Sequence, residues 1–155
     1  MPADTLTDLY RLDDDWIAEH LAIIEQVRRY VDLAVLPCIG THHNNETFPE
    51  EIITGLRDLG IFEAIADQSL DPIAYGLVSR ELERGSSALR SIVSVQGGLV
   101  MGAIQQFGSD EQRDTWLPRL AQLEAWGCFA LTEPDFGSNP AGMETRAEST
   151  AAGYR

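Results

Sequence analysis

Residues 128–139 read Cys128-Phe129-Ala130-Leu131-Thr132-Glu133-Pro134-Asp135-Phe136-Gly137-Ser138-Asn139, an apolar lead followed by hydroxyls, carboxylates and a glycine. A strand running into such a loop can bring main-chain N–H groups and small hydroxyls against a flat polar ring or a phosphate. The same composition also fits a tight polar turn between two strands. Glu133 is a poor general base on this reading, because Pro134 follows it directly in a turn.

A second constellation lies in Ala88-Leu89-Arg90-Ser91-Ile92-Val93-Ser94-Val95-Gln96. Arg90 and Ser94 stand one helical turn apart and share a face, with Ser91 beside them. A guanidinium fork with two hydroxyls makes a cradle for a carboxylate, which it can bind through two parallel hydrogen bonds. An Arg reaching off the helix end to pair with Glu81 or Glu83 fits the pattern equally well. His42, His43 and Glu46 form the remaining cluster. Adjacent histidines in a polar loop with no third ligand in view do not make a metal site, and none is expected.

The elements that must position these groups are mainly helical. Ile17, Leu21, Ile24, Val27, Val31 and Val35 recur at three- and four-residue steps over 14–36, and Pro37 and Gly40 are expected to end that helix. Phe48-Pro49 opens a second helix with Ile52, Ile53, Leu56 and Leu59 on its apolar face, closed by Gly60. Residues 60–70 read as a connector. Asp71-Pro72 starts a third helix carrying Ile73, Leu77, Val78 and Leu82, with Gly85 as its stop. Residues 87–107 form a long, nearly all-apolar helix that should be buried on most sides. Ser109 and Gln112 give the capping box of a fifth. From Trp126 the pattern changes, and residues 126–131 and 143–148 read as two strands with a turn at 151–153. Two strands alone are marginal, and their edges invite pairing.

Composition limits the function classes. The chain has 155 residues, 44% of them hydrophobic, enough for a packed core. Its net charge is −14 and every basic side chain is Arg. That balance argues against nucleic acid and against adhesion to an anionic membrane. Residues 1–15 are acidic and carry no apolar core of a signal peptide. The apolar stretch 91–104 is interrupted by Ser94, Gln96 and Gly97-Gly98, too short and polar to span a bilayer. Cys38 and Cys128 read as two reduced thiols. A cytoplasmic protein without membrane insertion is expected.

Residues 128–139 resemble the signature of the acyl-CoA dehydrogenases, a strand and loop of the form F-x-L-T-E-P-x-x-G-S-D that lines the flavin of FAD. The resemblance implies a cofactor surface made by Phe129, Ala130, Leu131, Thr132, Glu133, Pro134, Asp135, Phe136, Gly137 and Ser138. Phe129, Leu131 and Thr132 would face the flavin, and Ser138 would lie where the FAD pyrophosphate meets the substrate thioester. Asn139 stands where the family usually has an aspartate, which keeps hydrogen bonding and removes a charge. Residues 90–96 are similar to the R-S-x-x-S-V-Q of glutaryl-CoA dehydrogenases, and Met143-Glu144-Thr145-Arg146-Ala147 also matches that branch. By that likeness Arg90, Ser91 and Ser94 would hold the distal carboxylate of a dicarboxylic acyl-CoA. The connector 60–70 is shorter than the family's glycine-rich one, which would alter the mouth of the site.

The implied architecture is a helical domain over 1–123 followed over 124–155 by the first strands of an incomplete middle β-domain. The implied chemistry is α,β-dehydrogenation of an acyl-CoA, with decarboxylation in the glutaryl branch and an electron-transfer flavoprotein as acceptor. The family's catalytic base comes from a C-terminal helical domain, so no catalytic residue is assigned here. FAD would bind weakly or not at all to this chain alone, and the β edge would call for self-association or a complementing chain. The alternative is a non-catalytic homologue that serves as a helical ligand- or partner-binding protein.

Overall fold

Eight α-helical segments carry the chain from residue 18 to residue 121, and a segment of turns ending in a small hairpin follows. The computed structural model describes residues 12–155; the reading made of residues 1–11 lies outside them. No strand precedes Trp126 among the described residues.

The first helix does not stop at Pro37. Helix α1 (Ala18–Tyr30) passes through a π turn, Val31–Val35, into α2 (Leu36–Asn45). In that turn the Leu36 N–H bonds to the Val31 carbonyl, five residues back. The extra residue shifts the ladder immediately before Pro37, whose ring would otherwise strike the carbonyl four residues behind it. The buried stripe is His20, Ile24, Val27, Val31 and Val35, whereas Ile17 and Leu21 are half exposed. His20 takes the inward place because its Nε2 lies 3.1 Å from Asp71 Oδ2. Asp71 in turn caps α5 (Pro72–Gly85), accepting from the N–H groups of Ile73 and Ala74.

Helix α3 (Glu50–Asp58) buries Ile52, Ile53 and Leu56 as its pattern predicts. The segment read as a connector contains a further helix, α4 (Ile61–Ala66), which buries Ile61 and Phe62. Six residues are too few for a readable period, so packing rather than pattern defines that helix. Helix α5 ends at Gly85 as expected, for a tertiary reason. A Cβ there would press on the Val31 and Val35 methyls, so the glycine lets α5 close on the π turn. Each fully buried Val, Leu, Ile or Phe in this core contributes roughly 1.5–3 kcal/mol.

The long apolar helix comprises α6 (Ser87–Val93), a second π segment (Ser94–Met101) and α7 (Gly102–Phe107). Contrary to expectation, one face only is buried, chiefly Leu89, Val93, Gln96, Gly97 and Met101, while Leu99 and Phe107 face outward. Ser87–Phe107 is the one helix among the described residues long and apolar enough, by length and composition, to cross a membrane. Helix α8 (Asp110–Ala121) starts on the predicted capping box of Ser109 and Gln112.

The two strands read at 126–131 and 143–148 are not formed. The only sheet among the described residues is a hairpin of β1 (Ser149–Thr150) and β2 (Gly153–Tyr154) around Ala151-Ala152. A strand is defined by its partner's N–H and C=O groups, and among the described residues no strand pairs with 126–131.

Across the helices runs one buried charge. The Glu81 side chain is 3% exposed and accepts from Arg28 Nε (3.1 Å) and Nη2 (2.8 Å), Arg80 (3.2 Å) and Arg84 (3.2 Å). Burial pushes its carboxyl up, but the Arg28 hydrogen bonds and charge, joined by Arg84 and Arg80, outweigh burial and leave it below the usual carboxylate range. Its contribution is therefore present above the unfolded value of about 4.5 and lost as pH falls through the lower folded value. Glu81→Ala should destabilise the fold by about 2 kcal/mol, the partners being half solvated. In denaturant titrations, Glu81→Gln should flatten the acid limb of stability below pH 4.5; an unchanged acid limb would contradict this role.

Candidate functional site

An open apolar groove of about 360 Å³ lies along one side of the long helix, between Ala88, Ser91, Ile92 and Val95 and the facing Phe48, Trp126 and Gly127. Gln96 forms its floor and holds it together. The side chain is 2% exposed, and Nε2 donates to the carbonyls of Leu120 and Ala125, both at 3.0 Å. Its Oε1 accepts from the Gly127 N–H, also at 3.0 Å. One amide thus ties the long helix to the end of α8 and to the start of residues 128–139. Gly127 abuts Val100 so closely that any Cβ would collide with it.

A second glutamine repeats the device. Gln105 Nε2 donates to the carbonyls of Ile65 (2.9 Å) and Ala66 (2.8 Å), closing the end of α4 against the long helix. The site residues foreseen from sequence did not include Gln96 in this role. A polar residue on the apolar side of a buried helix, four after Ile92, was the available signal.

Of the carboxylate cradle, Ser91 lines the groove, whereas Arg90 turns away from its lining. Arg90 Nε donates to Glu83 Oε2 at 2.9 Å, and Ser87 Oγ donates to Glu83 Oε1 at 2.6 Å. The hydroxyl and guanidinium hold the Glu83 carboxyl below its ordinary range. Ser94 is half buried at the start of the second π segment. The pairing with Glu83 is one of the two arrangements left open by the sequence.

Residues 126–132 form no regular element and turn tightly where the Leu131 N–H bonds to the Phe129 carbonyl at 3.1 Å, with Phe129 47% and Leu131 39% exposed and Thr132 also open to solvent. Glu133 anchors the loop behind them. Its carboxylate accepts from the N–H groups of Glu144 (2.9 Å) and Thr145 (2.8 Å), which lower its pKa. The Phe136 N–H bonds to the Glu133 carbonyl at 3.2 Å, forming the turn through Pro134 and Asp135. A carboxylate so engaged is a structural brace and not a proton acceptor. Gly137 and Ser138 continue past this turn, exposed. The ribbon from Phe129 to Thr132 therefore presents an apolar and hydroxyl edge that a flat heteroaromatic ring could lie against.

The model of the acyl-CoA dehydrogenase N-terminal domain matches residues 17–124. The chain belongs to the acyl-CoA dehydrogenase family. Among curated relatives, human short-chain specific acyl-CoA dehydrogenase, mitochondrial, is 28% identical over 135 residues, covering 84% of this chain and 33% of that protein. The glutaryl-CoA dehydrogenase of Desulfococcus multivorans is 32% identical over 135 residues, covering 80% and 34%. Among solved structures, a glutaryl-CoA dehydrogenase from Mycobacterium smegmatis in complex with FADH2 superposes with a TM-score of 0.81 at 42% identity, covering 90% of this chain and 37% of that one. The chain thus spans about a third of the length of these relatives.

As an acyl-CoA dehydrogenase domain, the chain depends on Gln96 to set its motif ribbon against the helices. Gln96→Leu keeps the volume but strands the Ala125 carbonyl and the Gly127 N–H, while the Leu120 carbonyl keeps its bond from the Leu123 N–H. It should cost about 2–3 kcal/mol and speed amide exchange at Gly127 well beyond that of the helical core. Exchange at Gly127 that tracked the global loss alone would show that the amide does not position the ribbon.

Proposed function

We propose that this chain forms the N-terminal helical wall and the first flavin-lining segment of an FAD-dependent acyl-CoA dehydrogenase acting on glutaryl-CoA or a similar dicarboxylic acyl-CoA. Residues 1–123 would be the helical domain and residues 124–155 the opening of the middle β-domain. The observation that carries the reading is Ser91 in the lining of the apolar groove, with Arg90 and Ser94 near it on the same long helix, in a chain 42% identical over 90% of its length to a glutaryl-CoA dehydrogenase.

In this reading FAD, when bound, supplies the acceptor for the hydrogen leaving the substrate β-carbon. The chain's residues bind and orient. Main-chain groups and the hydroxyl of residues 129–132 would hold the ring, and Ser138 would meet the junction of cofactor and thioester. The groove beside Ile92 and Val95 would take the acyl chain and exclude water from it. Arg90 would exchange Glu83 for the substrate's distal carboxylate, with Ser91 and Ser94 donating beside it. Reducing equivalents would pass to an electron-transfer flavoprotein. The reading keeps the protein in the cytoplasm.

A second reading, a non-catalytic homologue that binds a ligand or partner, is favoured by the Arg90–Glu83 pair, which already gives the guanidinium a carboxylate partner. The two separate on substrate comparison. In an enzyme completed with the domains that follow in the M. smegmatis relative, Arg90→Met should lower kcat/KM for glutaryl-CoA by roughly thirtyfold or more, about 2 kcal/mol for a carboxylate left unpaired. Turnover of butyryl-CoA should change little. Equal losses on both substrates would make Arg90 a structural residue and remove the dicarboxylate assignment. The chain alone walls one side of a flavin, so it should purify without stoichiometric yellow cofactor; an absorbance spectrum decides this.

A further inference from the structure

The fold assembles a set of ligating groups that sequence spacing does not reveal. Cys38 and His42 are one turn apart on the same face of α2. The chain then turns back through Glu46, the left-handed cap of that helix with φ 55°, and α3 begins at Glu50. This reversal sets the Glu51 carboxylate against the His42 ring, with Oε1 2.6 Å from Nε2. The Cys38 thiol, one His42 ring nitrogen and a Glu51 oxygen all lie within 4.8 Å of one another. The sequence cluster considered earlier, His42 with His43 and Glu46, is not the one that the fold brings together.

We propose that Cys38, His42 and Glu51 bind a divalent cation of the zinc class, clamping the end of α2 to the start of α3. The donor set decides the class: thiolate, imidazole and carboxylate together suit Zn2+ and disfavour Mg2+ or Ca2+, which select oxygen alone. Three protein ligands leave the fourth tetrahedral position for water or a small anion. The histidine is already oriented for the task. Its Nε2 donates to Glu51 in the metal-free chain; on binding, the ring proton moves to Nδ1, 2.9 Å from Thr47 Oγ1, and leaves the Nε2 lone pair for the metal. The Cys38 thiol now donates to the Ala34 carbonyl at 3.2 Å. On binding, its proton passes to solvent and the sulfur turns to the cation, one proton released per metal. The Tyr30 hydroxyl, which donates to the Ile52 carbonyl, fixes the base of α3 behind the site.

Co2+ is the probe, because its spectrum reports ligands directly. Titrating the full chain under reducing conditions should give one equivalent of tetrahedral Co2+ with a thiolate-to-metal charge-transfer band in the near ultraviolet, displaced by Zn2+. Cys38→Ser should remove the band, and Glu51→Gln and His42→Gln should each weaken binding about tenfold or more. Thr47→Val should weaken it about tenfold through loss of the ring's partner. His43→Gln and Cys128→Ser should leave it unchanged. Glu51 is exposed, so its variant tests the site without disturbing the core. A weak octahedral spectrum, a band lost in Cys128→Ser, or affinity unaltered by Glu51→Gln would each overturn the proposal.

Discussion

A single buried amide governs how this domain meets the rest of its site. Gln96 satisfies two carbonyls where α8 ends and one N–H where the motif ribbon begins. Backbone groups turned into protein need partners, and beyond the end of α8 the Ala125 carbonyl and the Gly127 N–H find theirs in this side chain. An apolar residue at 96 would pack as well and leave the Ala125 carbonyl and the Gly127 N–H stranded. The groove and the exposed edge of Phe129 and Leu131 both inherit their position from that bond set, because Trp126 and Gly127 lie between them and the helix.

The two π segments belong to the same logic. Each occurs where a regular α-ladder would conflict with a neighbour or with the chain itself. Val31–Val35 absorbs Pro37 and lets one helix continue where a proline would ordinarily break it. Ser94–Met101 turns Gln96 and Gly97 to the core at the level of the ribbon, with the Ile65 side chain filling the space a Gly97 Cβ would occupy. Such bulges are frequent at functional positions because they re-aim side chains without ending the helix.

Charge plays a different part in the interior and at the surface. Glu81 is buried among three arginines and couples α1 to α5, so its loss is felt by the whole fold. Glu83, two residues on, lies at the surface and restrains only Arg90 and Ser87. That contrast gives Arg90 its interest: an exposed pair is worth little, so a better carboxylate can displace Glu83 at small cost.

Helical periodicity, caps and stops were legible in the residues, since apolar stripes, Asp71-Pro72, the Ser109 box and Gly85 act through local geometry. So was the family, carried by residues 90–96 and 128–139 and by their order. Local signals misjudged what depends on neighbours. Pro37 did not end its helix, α4 was too short to show a period, and the two strands found no partner to pair with. His20 rather than Leu21 faces the core because Asp71 waits for it 51 residues away. Tertiary structure alone chose Glu83 for Arg90, made Gln96 the tie between helices and ribbon, and brought Glu51 to Cys38 and His42. Each of those depends on a chain reversal or a helix crossing, and no short-range pattern encodes the distance between side chains on separate elements.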